Sequence, residues 1–197
     1  MNETIYTIGH SNGSSEHLLS LLDQHGITAV ADVRSRPYSR FNPQFNREAL
    51  ARALKNSGRE YFFLGHELGA RSEDRACYRD GRAQYVLIAQ TPLFKRGIEC
   101  LLAKMENFRV AILCAEKEPI SCHRSILIAR YLHEKNVGVR HIFEDGSLED
   151  HDALLLRLLA VHGIQENHLF LTRDELVAMA YEKQAEQIEY SASKVSA

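Results

Sequence analysis

The sequence predicts an α/β fold: a single layered domain in which a mostly parallel sheet of about five strands is flanked by helices. Two observations predict it. Short apolar runs alternate with longer segments of helical period along the 197 residues. Gly, Asn, Ser and Thr punctuate those segments where caps and turns are expected.

The elements follow in order. "TIYTIG" (4–9) is a short strand ending at Gly9, and "SSEHLLSLLDQHG" (14–26) is a helix capped at Ser14 or Ser15 and closed by Gly26. "ITAVADV" (27–33) is almost unbroken apolar, as a strand covered on both faces requires, with Asp32 near its end. "NREALARALKNSG" (46–58) is a helix with an Asn46 cap and a Gly58 stop, and "EYFFLG" (60–65) is a third strand. Residues 65–81 are polar and irregular and predict a surface loop. "RAQYVLIAQ" (82–90) predicts one helix and "TPLFKRGIECLLAKM" (91–105) a second, with Thr91 as its cap and Pro92 at its first position. "RVAILCA" (109–115) is the fourth and most buried strand, "CHRSILIARYLHEKN" (122–136) the next helix, and "VGVRHI" (137–142) a fifth strand. Two helices close the chain, the last opening on a Thr172/Glu175 capping box. The α/β domain is expected over residues 1–171, with 172–197 forming a C-terminal helix and a short flexible tail.

Composition narrows the function classes. With 45% hydrophobic and 25% charged residues the chain is of the soluble globular kind, and a net charge of −2 removes any whole-chain argument for nucleic-acid affinity. No run is apolar and long enough to cross a bilayer, and "MNETIYTIGHSN" lacks the pattern of a signal peptide, so a cytoplasmic protein with no membrane partner is expected. In that compartment Cys77, Cys100, Cys114 and Cys122 are expected as thiols or ligands rather than disulfides. A homo-oligomer remains open.

In open α/β sheets the ligand crevice lies beyond the carboxyl ends of the strands. The segments that follow the first four strands are "GHSN", "DVRSRPYSRF", "LGHELGAR" and "CAEKEPISCHR", and they gather His, Arg, Cys and carboxylates. Cys122 lies at or just before a helix start, where unpaired N–H groups and a neighbouring His123 or Arg124 lower a thiol pKa. It is therefore the candidate nucleophile or redox thiol, the alternative being a buried cysteine behind a Ser121 cap. A phosphatase loop is excluded, because the sixth position after Cys114 is Ile120 rather than arginine. Asp32, Glu116 and His10 are candidate proton-transfer groups, with an ion-pair scaffold as the alternative use of the carboxylates.

Arg34, Arg36, Arg71 and Arg124, with Tyr38 and Cys114, form the candidate ligand-binding set. Arginine forks suit phosphate, and the aromatics of the 34–47 loop could stack on bases. A metal reading would use Cys114, Cys122 and His123, with Asp32, His10 or His66 as further donors. However, C-x7-C-H is not a standard zinc spacing, and adjacent Cys and His at a helix start diverge. No residue is assigned to a metal on this basis, and no cofactor is assigned.

"YTIGHSN", "ADVRSRPYSRFNPQFN", "YFFLGHELGAR" and "LCAEKEPISCHRSILIARYL", in this order, resemble the bacterial and archaeal proteins grouped as the domain of unknown function DUF488. The resemblance spans roughly residues 5–145, departs from the pattern at Ala70, and implies a compact α/β domain with Cys-Ala-Glu and Cys-His-Arg as signature elements. It implies no reaction. The expected function is an enzyme holding a phosphate-bearing ligand, nucleotide or nucleic acid, at the strand ends. The alternatives are a non-catalytic nucleic-acid module using the 34–47 loop, and a metal-binding or redox protein.

Overall fold

The apolar runs pair side by side to satisfy their backbone groups laterally, and two of them, 29–32 and 110–114, are buried along their whole length. The computed structural model describes residues 4–166 and 169–191. Strands β1 (Thr4–Gly9), β2 (Ala29–Asp32), β3 (Glu60–Phe63), β6 (Val110–Cys114) and β7 (Gly138–Ile142) are parallel, and β8 (Leu148–Asp150) adds antiparallel to β7. The sheet order is β3-β2-β6-β1-β7-β8. All five expected strands are present, and the sixth, "LED", is too short and polar to be read as a strand.

Side chains alternate between two cores, as the two-residue period of a strand requires. Tyr6 and Ile8 face Leu18 and Leu22 of helix α1 (Ser15–Gln24) and Leu50 and Leu54 of α2 (Arg47–Asn56). Ile5 and Ile112 belong to the larger core on the opposite face, with α3 (Gly65–Leu68), α4 (Tyr85–Gln90), α5 (Pro92–Met105), α6 (Arg130–His133), α7 (His151–Val161) and α8 (Arg173–Ile188). Leu176, Ala180 and Tyr181 of α8 are part of that core, so the C-terminal helix packs on its own domain. Residues 192–197, where the flexible tail was expected, lie outside the described residues. No helix among the described residues is long and apolar enough to cross a membrane.

The caps at Ser14, Thr91 and Thr172 form as expected, the last as a complete capping box with Glu175. Asn46 does not cap α2; its Oδ1 instead accepts from Ser39 N–H at 2.7 Å and ties down the basic loop. The expected loop 65–81 contains α3 and a 3-10 turn at Arg75–Cys77, and it runs into a hairpin of β4 (Tyr78–Arg79) and β5 (Arg82–Ala83). Asp80 and Gly81 both have positive φ, 49° and 74°, the two-residue turn that Asp-Gly favours. The helix expected from Arg82 therefore begins at Tyr85. The helix expected over 122–136 starts with π-helical turns at Arg124–Ala129 before α6.

Inserting β6 between β1 and β2 decides where chemistry can occur. Gly9 pairs with Cys114 and Asp32 with Leu113, so three strand ends stand shoulder to shoulder. The pairing continues past them, His10 N–H donating to Cys114 O and Ser11 N–H to Ala115 O, both at 3.0 Å. The approach is close enough that a Cβ on Gly9 would overlap the Glu116 carbonyl. Gly9→Ala is expected to destabilise the fold by about 1–3 kcal/mol, since the backbone must shift to accept the methyl group. A thermal melt checks it, and an unchanged midpoint would mean that the strand ends can separate freely.

Candidate functional site

Four donor side chains meet just beyond the end of β6. Cys114 is its last residue, Glu116 folds back two residues later, and a 3-10 turn at Pro119–Ser121 returns Cys122 and His123 to the same point. One ligand-type atom from each of the four, Cys114, Glu116, Cys122 and His123, lies within 4.8 Å of the others. Both sulfurs point at Glu116 Oε2, 2.9 Å from Cys114 Sγ and 3.0 Å from Cys122 Sγ. His123 Nδ1 is 3.6 Å from Cys114 Sγ and 3.8 Å from Cys122 Sγ.

The backbone explains the convergence. Cys122 is extended (φ −134°, ψ 140°) and His123 is helical, so the two side chains are not splayed by a common helical turn. The expectation that this adjacent pair diverges is thereby corrected. His123 Nε2 lies 3.2 Å from Val33 O, and a carbonyl only accepts, so Nε2 carries a proton and Nδ1, facing the sulfurs, is the atom that gains the second proton in the charged ring and offers a lone pair in the neutral one. Arg124 N–H points at Cys122 Sγ from 3.5 Å. The Arg124 guanidinium is fully buried, donates to the carbonyls of Glu116 and Lys117, and has no carboxylate partner among the described residues. A positive charge thus lies buried beside three acidic groups.

Those groups do not ionise independently. Burial, and then the neighbouring Cys122, pushes the Cys114 thiol well above its usual range. Burial also opposes a Cys122 thiolate, but the hydrogen bond from Cys114 and the Arg124 and His123 charges overcome it and hold that thiol well below its usual value. His123 is raised against its burial by the hydrogen bond and charge of Cys122, while burial raises Glu116. Without a further cation, the cluster therefore concentrates one anionic charge on Cys122 and keeps its remaining protons.

Asp32, Arg34 and His10 form a second, adjoining unit. Arg34 donates from Nε to Asp32 Oδ1 at 2.8 Å and from Nη2 to Oδ2 at 2.6 Å, and Nη2 also reaches Phe45 O at 2.9 Å. Its Nη1 donates to His10 Nε2 at 3.0 Å, while His10 Nδ1 is committed to Ser11 O at 2.7 Å. Tyr61 completes the unit by donating to Asp32 Oδ2 at 2.8 Å. Burial, and then Arg34, pushes His10 down to about 4. Both His10 nitrogens are occupied, so within this arrangement His10 and Asp32 hold Arg34 rather than offering a free base.

The other candidates lie outside this centre. Tyr38 is 59% exposed and donates to Glu48, and Arg71 stacks on Tyr190 with 4.3 Å between guanidinium carbon and ring centroid. Arg36 and Arg71 line a separate cleft with Ser35 and His66. Within the basic loop, Phe45 is buried against His10, whereas Phe41 is 77% exposed beneath Arg40. Sequence reasoning missed Tyr61, whose place on an edge strand carries no signal. It also missed Tyr85, a buried phenol whose ionisation is opposed by its burial and by the charges of Cys122 and Glu116.

Fold and site together define an α/β protein with a buried cluster of two cysteines, a histidine and a glutamate at the carboxyl edge of a parallel sheet. A family model described as "Domain of unknown function DUF488" matches residues 14–132, more than half of the chain. The chain belongs to the DUF488 family. Neither the curated proteins nor the solved structures give a match.

Proposed function

We propose that this protein binds a divalent transition metal, zinc foremost, through Cys114 Sγ, Cys122 Sγ, His123 Nδ1 and a Glu116 oxygen. The observation that carries the reading is the convergence of these four donors within 4.8 Å. Tetrahedral zinc with sulfur and nitrogen ligands sets its donors about 3.5–3.8 Å apart. The sulfur–nitrogen separations of 3.6 and 3.8 Å already meet that spacing. The thiol–carboxylate pairs need to open by only about half an ångström to match it.

Two surrounding features support the assignment. A histidine that ligates through one nitrogen usually donates its other N–H to a carbonyl, as His123 does to Val33. Two thiolates and a carboxylate carry −3, which a divalent ion and the buried Arg124 together neutralise. The ligand set is also uneven: Cys114, Cys122 and His123 are at most 6% exposed, whereas Glu116 is an exposed residue that turns one oxygen inward. Three buried ligands and one carboxylate on an exposed residue favour an exchangeable fourth position, as catalytic centres have, over a closed structural site.

The test is metal analysis of gently purified protein, followed by cobalt substitution. About one metal per chain is expected, with a cobalt–thiolate absorption that Cys114→Ser and Cys122→Ser each abolish. Glu116→Gln is expected to retain the metal with affinity reduced by roughly tenfold or more. Metal-free protein that takes up neither zinc nor cobalt when reduced would refute the assignment. A thiol-redox reading is favoured by the lowered Cys122 pKa alone. It requires fast alkylation of Cys122 below pH 7 that a chelator does not accelerate, whereas a metal centre requires alkylation that the chelator releases.

A further inference from the structure

Arginines decide the question of where this protein could hold an anion. Arg34 and Arg124 are buried and committed to Asp32, His10 and backbone carbonyls, and Arg59, Arg130, Arg140 and Arg157 each pair with a carboxylate. Several other arginines form no ion pair with a carboxylate among the described residues, and two exposed ones, Arg36 and Arg71, border the same cleft, of about 280 Å³. From this the geometry points to the cleft lined by Ser35, Arg36, His66, Arg71, Tyr78 and Tyr190 as a binding site for a small phosphate monoester bearing hydroxyl groups, of the sugar-phosphate or mononucleotide class.

The cleft has the right place and the right parts. Ser35 and Arg36 follow β2, and His66 opens the segment just after β3, so the opening lies beyond the carboxyl ends of two neighbouring parallel strands. Ser35 Oγ accepts from Arg71 N–H at 3.1 Å, which fixes the two loops to each other and leaves the Ser35 proton to be donated. The Tyr190 ring holds the Arg71 guanidinium by stacking, so less of its rotational freedom is lost when a ligand binds. Tyr78 contributes shape rather than a hydroxyl, since its O–H is already donated to Ser72 O at 2.8 Å.

Ligand class follows from charge and size. Two guanidinium forks match the oxygens of a phosphate monoester. Glu73, also at the cleft, repels a bare anion and accepts hydrogen bonds, so it selects for hydroxyls beside the phosphate. The volume is below that of typical drug-sized pockets, which suits a small ligand. Nothing in this assignment requires the metal centre.

The experiment is isothermal titration of the full chain, as purified, with inorganic phosphate, ribose 5-phosphate, 5′-AMP and adenosine. Saturable binding of ribose 5-phosphate or 5′-AMP is expected, with adenosine not binding. Arg36→Ala and Arg71→Ala should each weaken it at least tenfold while leaving the melting temperature unchanged, since both side chains are exposed. Equal affinity for both phosphates identifies the sugar phosphate as the recognised part; tighter 5′-AMP binding identifies a nucleotide. Absence of binding by every probe at millimolar concentration, adenosine binding as tightly as 5′-AMP, or wild-type affinity in both variants would overturn the assignment.

Discussion

Replacing Asp32 by alanine is expected to remove about 3–5 kcal/mol of stability, the range for deleting one partner of a buried ion pair. Asp32 is fully buried and accepts from Arg34 N, Nε and Nη2 and from the Tyr61 hydroxyl. Without it, the buried Arg34 charge keeps only His10 and the Phe45 carbonyl as partners. The effect is dominated by the orphaned charge rather than by lost hydrogen bonds. Tyr61→Phe, which removes one hydrogen bond, should therefore cost only about 1 kcal/mol. Substituting both members of the pair, Asp32→Leu with Arg34→Met, should recover most of the loss. Urea unfolding followed by circular dichroism measures all three, as the chain has no tryptophan. If Asp32→Ala is no more harmful than Tyr61→Phe, the pair is not a structural anchor of the strand ends.

That anchor also marks the limit of what the sequence discloses. The five parallel strands were legible because each is a short, largely apolar run, buried along its whole length in β2 and β6, and the four-donor cluster lies beyond the carboxyl end of β6. Every donor of the cluster formed by Cys114, Glu116, Cys122 and His123 was visible as a residue type. Its assembly was not, because it depends on the extended backbone of Cys122, which no periodicity encodes. Arg34 and Arg124 were legible as cations but not as buried ones. Arg34 lies two residues after Asp32 and folds back onto it, and the Arg124 acceptors are backbone carbonyls, which are the same for any sequence. The β4–β5 hairpin did have a signal, the Asp80-Gly81 dipeptide, which the stronger helical period starting a few residues later obscured.

Acidification from pH 7 to pH 5 is expected to destabilise the fold by about 4 kcal/mol, through histidines held neutral in the interior. His141 Nδ1 bonds to Thr7 Oγ1 at 2.8 Å, its Nε2 to His151 Nδ1 at 2.9 Å, and His151 Nε2 to the Tyr181 hydroxyl at 2.7 Å. This buried chain ties β1, β7, α7 and α8 together. Burial, and then the nearby His133, pushes His151 down to about 3; His141 is lowered by burial and by His151, with Arg124 and Arg157 adding to it. His10, facing Arg34, Asp32 and Arg124, falls to about 4. An unfolded histidine takes up its proton near 6.5, so between that value and the folded pKa the unfolded chain binds more protons and gains stability relative to the fold. At pH 5 His10 and His151 each contribute about 2 kcal/mol of this loss. In the metal-free protein His123 and Glu116, both raised, act in the opposite sense and reduce the slope. Unfolding free energies at pH 5, 6 and 7 measure the slope, and His151→Gln should flatten it by about 1.4 kcal/mol per pH unit below pH 6 whatever its own cost in stability. An unchanged slope in that variant would mean that His151 titrates normally and that the Thr7–His141–His151–Tyr181 chain is not closed to water.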